Sequence, residues 1–184
     1  DPASPQEASD IAYYALNYSY EHKIPVVLRS THRVSHAREA VALYPLGKRK
    51  VKLNEGISVH NPLKSEFVIV ASGMSYSIAV DVIESLSLEQ VVPVYKVLKV
   101  FPTEVKLIDF VKAHKNILVF EETDSGIEML IDSGNKVFGR RNGYVPGAGE
   151  LTYDVVREAV QTIVQKLKCG GKQFVPDYSI EASL

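Results

Sequence analysis

The chain has 184 residues, enough for one domain or for one domain and part of another. Its 21 basic and 22 acidic residues nearly cancel, so no net charge steers it toward nucleic acid or an anionic membrane surface. The one cysteine excludes an internal disulfide and any metal site or cluster built from thiolates of this chain alone. The sequence also has no apolar run of about 18 residues, the length that a membrane-spanning helix needs. We therefore predict a cytoplasmic protein that binds neither nucleic acid nor a membrane.

The first part of the sequence predicts one helix and one strand. Ser4 is a good N-cap and Pro5 suits the first helical position, so a helix is predicted over residues 5–22. The apolar run at residues 25–29 predicts a strand, and the polar segment that follows becomes helix-like toward residue 42. One helix followed by one strand is too small to form a domain. We therefore interpret residues 1–42 as the end of an α/β domain whose other strands are absent.

A second α/β domain is predicted over residues 65–167, after a linker at residues 43–64 that is rich in glycine, proline and basic residues. Short apolar runs alternate with amphipathic ones. The predicted strands lie at residues 67–71, 91–100, 116–121 and 136–138, and the predicted helices at residues 75–86, 103–114, 126–133 and 152–167. This alternation predicts a three-layer α/β/α fold with a mostly parallel sheet. Residues 168–184 show no periodicity and are interpreted as a tail or linker.

Polar side chains crowd the segment after the first predicted strand, where α/β sheets place their ligands. Arginines there can bind carboxylate or phosphate with two hydrogen bonds, and histidines titrate near neutral pH. The candidate substrate- or interface-facing residues are Thr31, Arg33, Ser35 and His36. A metal site is the weaker interpretation, because only Glu39 offers a nearby carboxylate. The alternative is a polar loop that caps the following helix.

A second candidate is a polar site at the edge of the sheet, made by Gly73, Glu121 and Glu122 at two predicted strand ends. Carboxylates there can hold magnesium or raise one another's pKa, but no second aspartate motif supports a metal. We expect them to accept hydrogen bonds from neighbouring loops. The turn at Gly73 lacks the GxGxxG pattern, so a tight turn is preferred over an anion site. Residues 139–150 are a candidate surface for docking another domain.

Three stretches, in chain order, resemble the 2-oxoacid:ferredoxin oxidoreductase family, and within it the α subunits of the indolepyruvate branch. They are PVVLRSTHRVSH at residues 25–36, LVFEE at residues 118–122 followed by Ile127 and Glu128, and GELT at residues 149–152. The family often has two threonines where this chain has Thr31 and His32. The resemblance implies that residues 1–42 close a pyrimidine-binding domain. It also implies that residues 65–167 form a transketolase C-terminal-like domain.

The resemblance implies a non-catalytic domain that packs against the cofactor-binding domains of a larger enzyme. The family's magnesium motif, cluster cysteines and cofactor-activating glutamate have no counterparts in this sequence. No cofactor is therefore expected on this chain alone, and no catalytic or metal-ligating residue is assigned. Thiamine diphosphate, magnesium and iron–sulfur clusters would belong to the parent enzyme, which would oxidise an aryl-pyruvate. The expected partners of this chain are the other domains of the subunit, a smaller partner subunit and ferredoxin.

Two alternatives remain open from the sequence pattern. One is a free-standing module of flavodoxin-like topology that binds a nucleotide or CoA near Gly73 and Glu121. The other is an assembly domain that dimerises through exposed apolar residues of the last predicted helix, such as Val160 and Val164.

Overall fold

The computed structural model of the chain describes residues 1–43, 56–57, 65, 67–122, 124–131 and 136–167. The basic run of the predicted linker and the predicted tail, with Cys169, lie outside these residues. The helices are α1 (Pro5–His22), α2 (His32–His36), α3 (Gly73–Ser85), α4 (Val105–Lys112), α5 (Gly126–Ile131) and α6 (Tyr153–Leu167). The strands are β1 (Gly56–Ile57), β2 (Phe67–Ser72), β3 (Val94–Val97), β4 (Asn116–Phe120) and β5 (Lys136–Phe138). None of the described helices combines the length and the apolar content of a membrane span.

The described strands form one sheet in the order β1-β3-β2-β4-β5. β2 pairs in parallel with β3 on one side and with β4 on the other, and β5 continues the parallel run beside β4. β1 joins β3 in the antiparallel sense at the outer edge. The mostly parallel sheet predicted from the sequence is therefore confirmed.

The two faces of the sheet carry separate hydrophobic clusters, which makes three layers. Phe67, Ile69 and Ala71 of β2 pack in one cluster with α3 and α6. Val68 and Val70 point the opposite way and pack in the other cluster with α4 and α5. Every residue of β2 is buried, as expected for a parallel strand covered on both faces. The three-layer α/β/α fold is confirmed.

Helix α1 has the bounds that its cap residues predict. The Ser4 side chain accepts a hydrogen bond from the Glu7 backbone N–H at 3.1 Å, and Pro5 occupies the first turn. The helix ends at Lys23, which adopts the left-handed conformation typical of a helix C-terminus. Ile11 and Ala15 form its buried stripe.

The strand predicted at residues 25–29 is not formed among the described residues. These residues have no regular secondary structure and pair with no described strand, and the Val27 side chain is 89% exposed. A strand is completed by hydrogen bonds to a neighbour, which an apolar pattern cannot supply. The helix-like pattern toward residue 42 also fails, because helix α2 ends at His36.

The last helix is rotated relative to the prediction. Val160 and Val164 are buried, with exposures of 0% and 4%, in the cluster that joins α6 to α3 and the sheet. The helix carries apolar residues at adjacent positions, so its buried stripe is wider than one row. The predicted dimerisation surface on these two valines is therefore contradicted. Helix α4 also begins later than predicted, with Glu104 rather than Thr103 at its N-cap.

Candidate functional site at the carboxyl edge of the sheet

The sheet has a switch point between β2 and β4. The chain passes from β2 to β3 on one side and then crosses to β4 on the other, so the connections leave these adjacent strands in opposite directions. In open α/β sheets, ligands bind in the crevice outside the carboxyl ends of two such strands. Gly73 follows β2 and Glu121 follows β4, so the two predicted edge residues lie beside this crevice. The buried Ser75 hydroxyl spans the two strand ends, 2.7 Å from the Ser72 carbonyl oxygen and 2.9 Å from that of Phe120.

The beginning of the chain packs against this switch point. Gly73 has φ +57°, and a Cβ atom there would lie 3.5 Å from both the Asp1 Cβ and the Pro2 carbonyl oxygen. The Thr31 methyl group would lie 3.9 Å away. Arg29 holds the Asp1 carboxylate through its Nε at 2.8 Å. The side of Gly73 on which a side chain would stand is therefore covered by other residues of the same chain.

Substitution of Gly73 tests how closely this edge is packed. Gly73→Ala is expected to destabilise the fold by about 1–2 kcal/mol, because a side chain at positive φ is strained. Gly73→Val is expected to cost more, since a branched side chain fits this conformation poorly and meets Asp1 and Pro2. Urea unfolding measures both, with Gly126→Ala as the matched control because Gly126 has no positive φ. Equal stability of all three variants would contradict this packing.

Arg33 ties α2 to two elements of the α/β domain. Its guanidinium donates to the Glu122 carboxylate at 3.1 Å and to the Leu151 carbonyl oxygen at 2.7 Å, and its Nε lies 3.7 Å from the Glu150 carboxylate. Glu122 follows β4, whereas residues 150–151 precede α6. One side chain thus joins three segments that are distant in sequence. Glu150 lies at the end of the segment predicted to dock another domain, residues 139–150, and it contacts Arg33 within the chain.

Glu121 and Glu128 are buried carboxylates that receive backbone hydrogen bonds. Glu121 accepts from the Ile127 N–H at 2.7 Å and from the Glu128 N–H at 3.0 Å, which satisfies the first turn of α5. Glu128 accepts from the Arg141 N–H at 3.2 Å and so holds the 3₁₀ turn Arg140–Asn142. The expected role of this acidic stretch, as an acceptor for neighbouring loops, matches the geometry. Within the described residues, no three side chains of the metal-ligating types come together.

Burial raises the pKa of the Glu121 carboxyl, and the hydrogen bonds from Glu128 and Ile127 oppose that rise. Between the ordinary glutamate pKa of about 4.3 and the raised value, the folded chain therefore holds a proton that the unfolded chain has lost. The stability contributed by Glu121 is present below that pKa and falls as the pH rises through the raised value. Glu121→Gln loses one acceptor, which costs about 1–3 kcal/mol. We expect its deficit against the natural chain to be larger near pH 4 than near pH 7 in urea titrations; a deficit that grows with pH would contradict the raised pKa.

The four residues predicted to face a substrate or an interface divide into two pairs. Thr31 and Arg33 point inward, and the Thr31 hydroxyl is buried without a hydrogen-bond partner among the described residues. Ser35 and His36 are exposed. Ser35 donates to the Ser30 hydroxyl at 3.1 Å, and the His36 ring lies against His32.

The pair formed by Lys96 and Glu7 was missed from the sequence. Lys96 lies in the middle of β3, is 8% exposed, and forms an ion pair with Glu7 of α1. Its ammonium also lies 4.8 Å from the centre of the Tyr76 ring. The sequence does contain a signal for this ion pair: Lys96 is a charged residue within an apolar strand, and a buried charge requires a partner.

These observations define a class: a doubly wound α/β domain whose switch point is covered by a segment of its own chain. No family model matches the chain. The chain is similar to the indolepyruvate oxidoreductase subunit IorA of Archaeoglobus fulgidus, with 29% identity over 90% of the chain. It is also similar to the same subunit of Methanothermobacter marburgensis and Methanothermobacter thermautotrophicus, each with 27% identity, over 87% and 96% of the chain. The predicted resemblance to the 2-oxoacid:ferredoxin oxidoreductases is thereby confirmed.

The matched region is a minor part of each relative. The alignments cover 32% of the Archaeoglobus subunit and 33% and 36% of the two Methanothermobacter subunits. The chain therefore spans about a third of the length of the curated relatives it matches.

Proposed function

We propose that the chain is a non-catalytic domain of a thiamine diphosphate-dependent 2-oxoacid ferredoxin oxidoreductase that acts on indolepyruvate or a related aryl-pyruvate. In this role it packs against the cofactor-binding domains and forms part of the wall of the active site. The observation that carries the proposal is the similarity to IorA subunits over about nine-tenths of the chain, with 27–29% identity.

The packing at the switch point supports a structural role. A free-standing nucleotide-binding module would leave Gly73 and the start of α3 open to its ligand. Here Asp1, Pro2 and Thr31 lie against Gly73. Arg33 and the pair Lys96–Glu7 fasten the same part of the chain to the α/β domain. The edge that would bind a ligand instead receives a neighbouring segment.

The exposed apolar segment at residues 24–28 supports a partner of the kind proposed. Its apolar side chains include Val26, Val27 and Leu28, which are all exposed, and no described strand pairs with it. A segment outside any described strand can add to the edge of a neighbouring sheet through its backbone donors and acceptors. We propose that this segment completes a sheet with strands of the pyrimidine-binding domain of the parent subunit, so that residues 1–42 and 65–167 belong to two adjoining domains.

The side chains in the part of the chain that the structure describes do not fit the family's magnesium and diphosphate. Magnesium and diphosphate need a group of oxygen ligands, and no metal-ligating group of three side chains occurs among the described residues. An iron–sulfur cluster needs several thiolates, and the sequence has one cysteine. The cofactors, the smaller subunit and ferredoxin are therefore proposed as partners of the complete enzyme, and no chemical step is assigned to this chain.

Hydrogen exchange tests the proposed strand pairing. In the isolated chain, the amides of Val26, Val27 and Leu28 are expected to exchange rapidly, because they have no strand partner. In a complete subunit that contains the pyrimidine-binding domain, the same amides are expected to become protected. Amides in β4 serve as the control and are expected to be protected in both samples. Rapid exchange at residues 26–28 in the complete subunit would contradict the proposal.

The second candidate is the module of flavodoxin-like topology, which the strand order favours. Without its edge strand β1, the sheet reads β3-β2-β4-β5, and this order places a switch point beside the first parallel strand. This alternative predicts that a nucleotide or CoA displaces the segment at Asp1 and Pro2 and binds to the start of α3. A bulky residue at position 73 would then abolish ligand binding in a chain that remains folded.

A further inference from the structure

We propose that His32 and His36 form a two-histidine site for a divalent transition-metal ion, such as Zn²⁺ or Ni²⁺, on the outer face of α2. The two residues stand four positions apart on one helix, so they lie on the same face, one turn from each other. Their ring centroids are 4.2 Å apart, with an angle of 32° between the ring planes. Both side chains are exposed, so an ion from solvent can reach them.

The spacing suits chelation by imidazole nitrogens. A zinc–nitrogen bond is about 2.0–2.1 Å long, so two nitrogens on a tetrahedral ion lie roughly 3.4 Å apart. Rings already in contact reach that arrangement by rotation of their side chains, without movement of the helix. The same spacing of four residues places the two metal-binding histidines of the HExxH motif on one helical face. Within the described residues no third ligand of protein origin joins the pair, so water would complete the coordination.

The residues between the two histidines hold the pair in its outward orientation. Val34 is buried, and Arg33 bonds to Glu122 and to the Leu151 carbonyl oxygen. These inward contacts fix the backbone of α2 and leave positions 32 and 36 on the solvent side. A site on a fixed scaffold loses less conformational entropy when an ion binds.

The ligand set decides which ions bind. Neutral imidazole suits zinc, nickel, copper and cobalt, whereas magnesium and calcium require oxygen ligands. The proposed site rests on the geometry of α2 alone and does not depend on the proposed function.

Titration calorimetry with Ni²⁺ and with Zn²⁺ tests the site on the complete chain without a polyhistidine tag, in a Cys169→Ser background that removes the one thiol. We expect one equivalent to bind with micromolar affinity. His32→Gln and His36→Gln are each expected to weaken binding by roughly a hundredfold, because each removes the chelate effect. His22→Gln is the matched control, since His22 is also exposed and lies against an aromatic ring, that of Tyr18. Absence of saturable binding by both ions, or full binding in both histidine variants, would overturn the proposal.

Discussion

Lys96→Met is expected to lower the free energy of unfolding by about 3 kcal/mol, because it leaves Glu7 largely buried without its cation. The two side chains are 10% and 15% exposed, so solvent screens the remaining charge weakly. The Glu7 carboxylate also accepts the Ala3 N–H at 2.7 Å, which keeps it in place. For a chain of this size, such a loss lowers Tm by roughly 6–12 °C. Thermal unfolding followed by circular dichroism measures the shift.

Two further variants distinguish the effect of breaking this buried ion pair from the effect of removing any lysine. Lys99→Met removes a cation paired with Glu104 in a position about one-third exposed, and it is expected to cost less than about 1 kcal/mol. The double variant Lys96→Met/Glu7→Gln removes both charges and keeps an acceptor for the Ala3 N–H. It is expected to be more stable than Lys96→Met alone. If Lys96→Met and Lys99→Met cost the same, the buried pair does not fasten α1 to the sheet.

Gly139→Ala is expected to destabilise the chain by about 2–3 kcal/mol through a clash with a buried carboxylate. A Cβ atom at position 139 would lie 2.7 Å from the Glu128 Cδ and from one of its oxygens. Glu128 is 3% exposed and accepts the Arg141 N–H, so its carboxylate cannot move aside without losing that bond. The backbone at Gly139 is extended, so the expected cost comes from contact and not from backbone strain.

Urea unfolding of two further variants tests this cause. Gly147→Ala places a methyl group in open space and is expected to change stability by less than about 1 kcal/mol. In a Glu128→Ala background the clash partner is gone, so Gly139→Ala is expected to cost much less there than in the natural chain. Additive costs of the two substitutions would show that Gly139 and Glu128 do not meet.

The sequence correctly predicted the helices and strands whose bounds depend on residues close by in the chain. The bounds of α1 follow from Ser4, Pro5 and the end at Lys23, which act within one turn of the helix. The buried strands β2 and β4 follow from short apolar runs. The apolar segment near Val27 shows the opposite case, because strand pairing depends on a second strand that its own residues do not specify. The burial of Val160 likewise depends on how α6 sits against α3, which one helix's pattern leaves open.

The sequence predicted several residues of the candidate site, but it did not predict which residues contact each other there. The sequence placed Gly73 and Glu121 at strand ends, and parallel pairing brings those ends to one edge. It did not reveal that Asp1 and Pro2 cover Gly73, or that Arg33 reaches the start of α6. These contacts join residues about 70 to 120 positions apart, and residue type alone does not select such partners.

We propose that this chain binds no cofactor by itself and serves as a packing domain. A thermal-shift panel with thiamine diphosphate plus magnesium, CoA, FMN and NAD tests it most directly. A ligand at a hundred times its Kd adds about 2.7 kcal/mol, which for this size is a shift of roughly 5–10 °C. We predict no shift with any of the four. A clear shift with CoA, FMN or NAD alone would make the chain a binding module in its own right, and a shift with thiamine diphosphate would show that it holds part of the cofactor site.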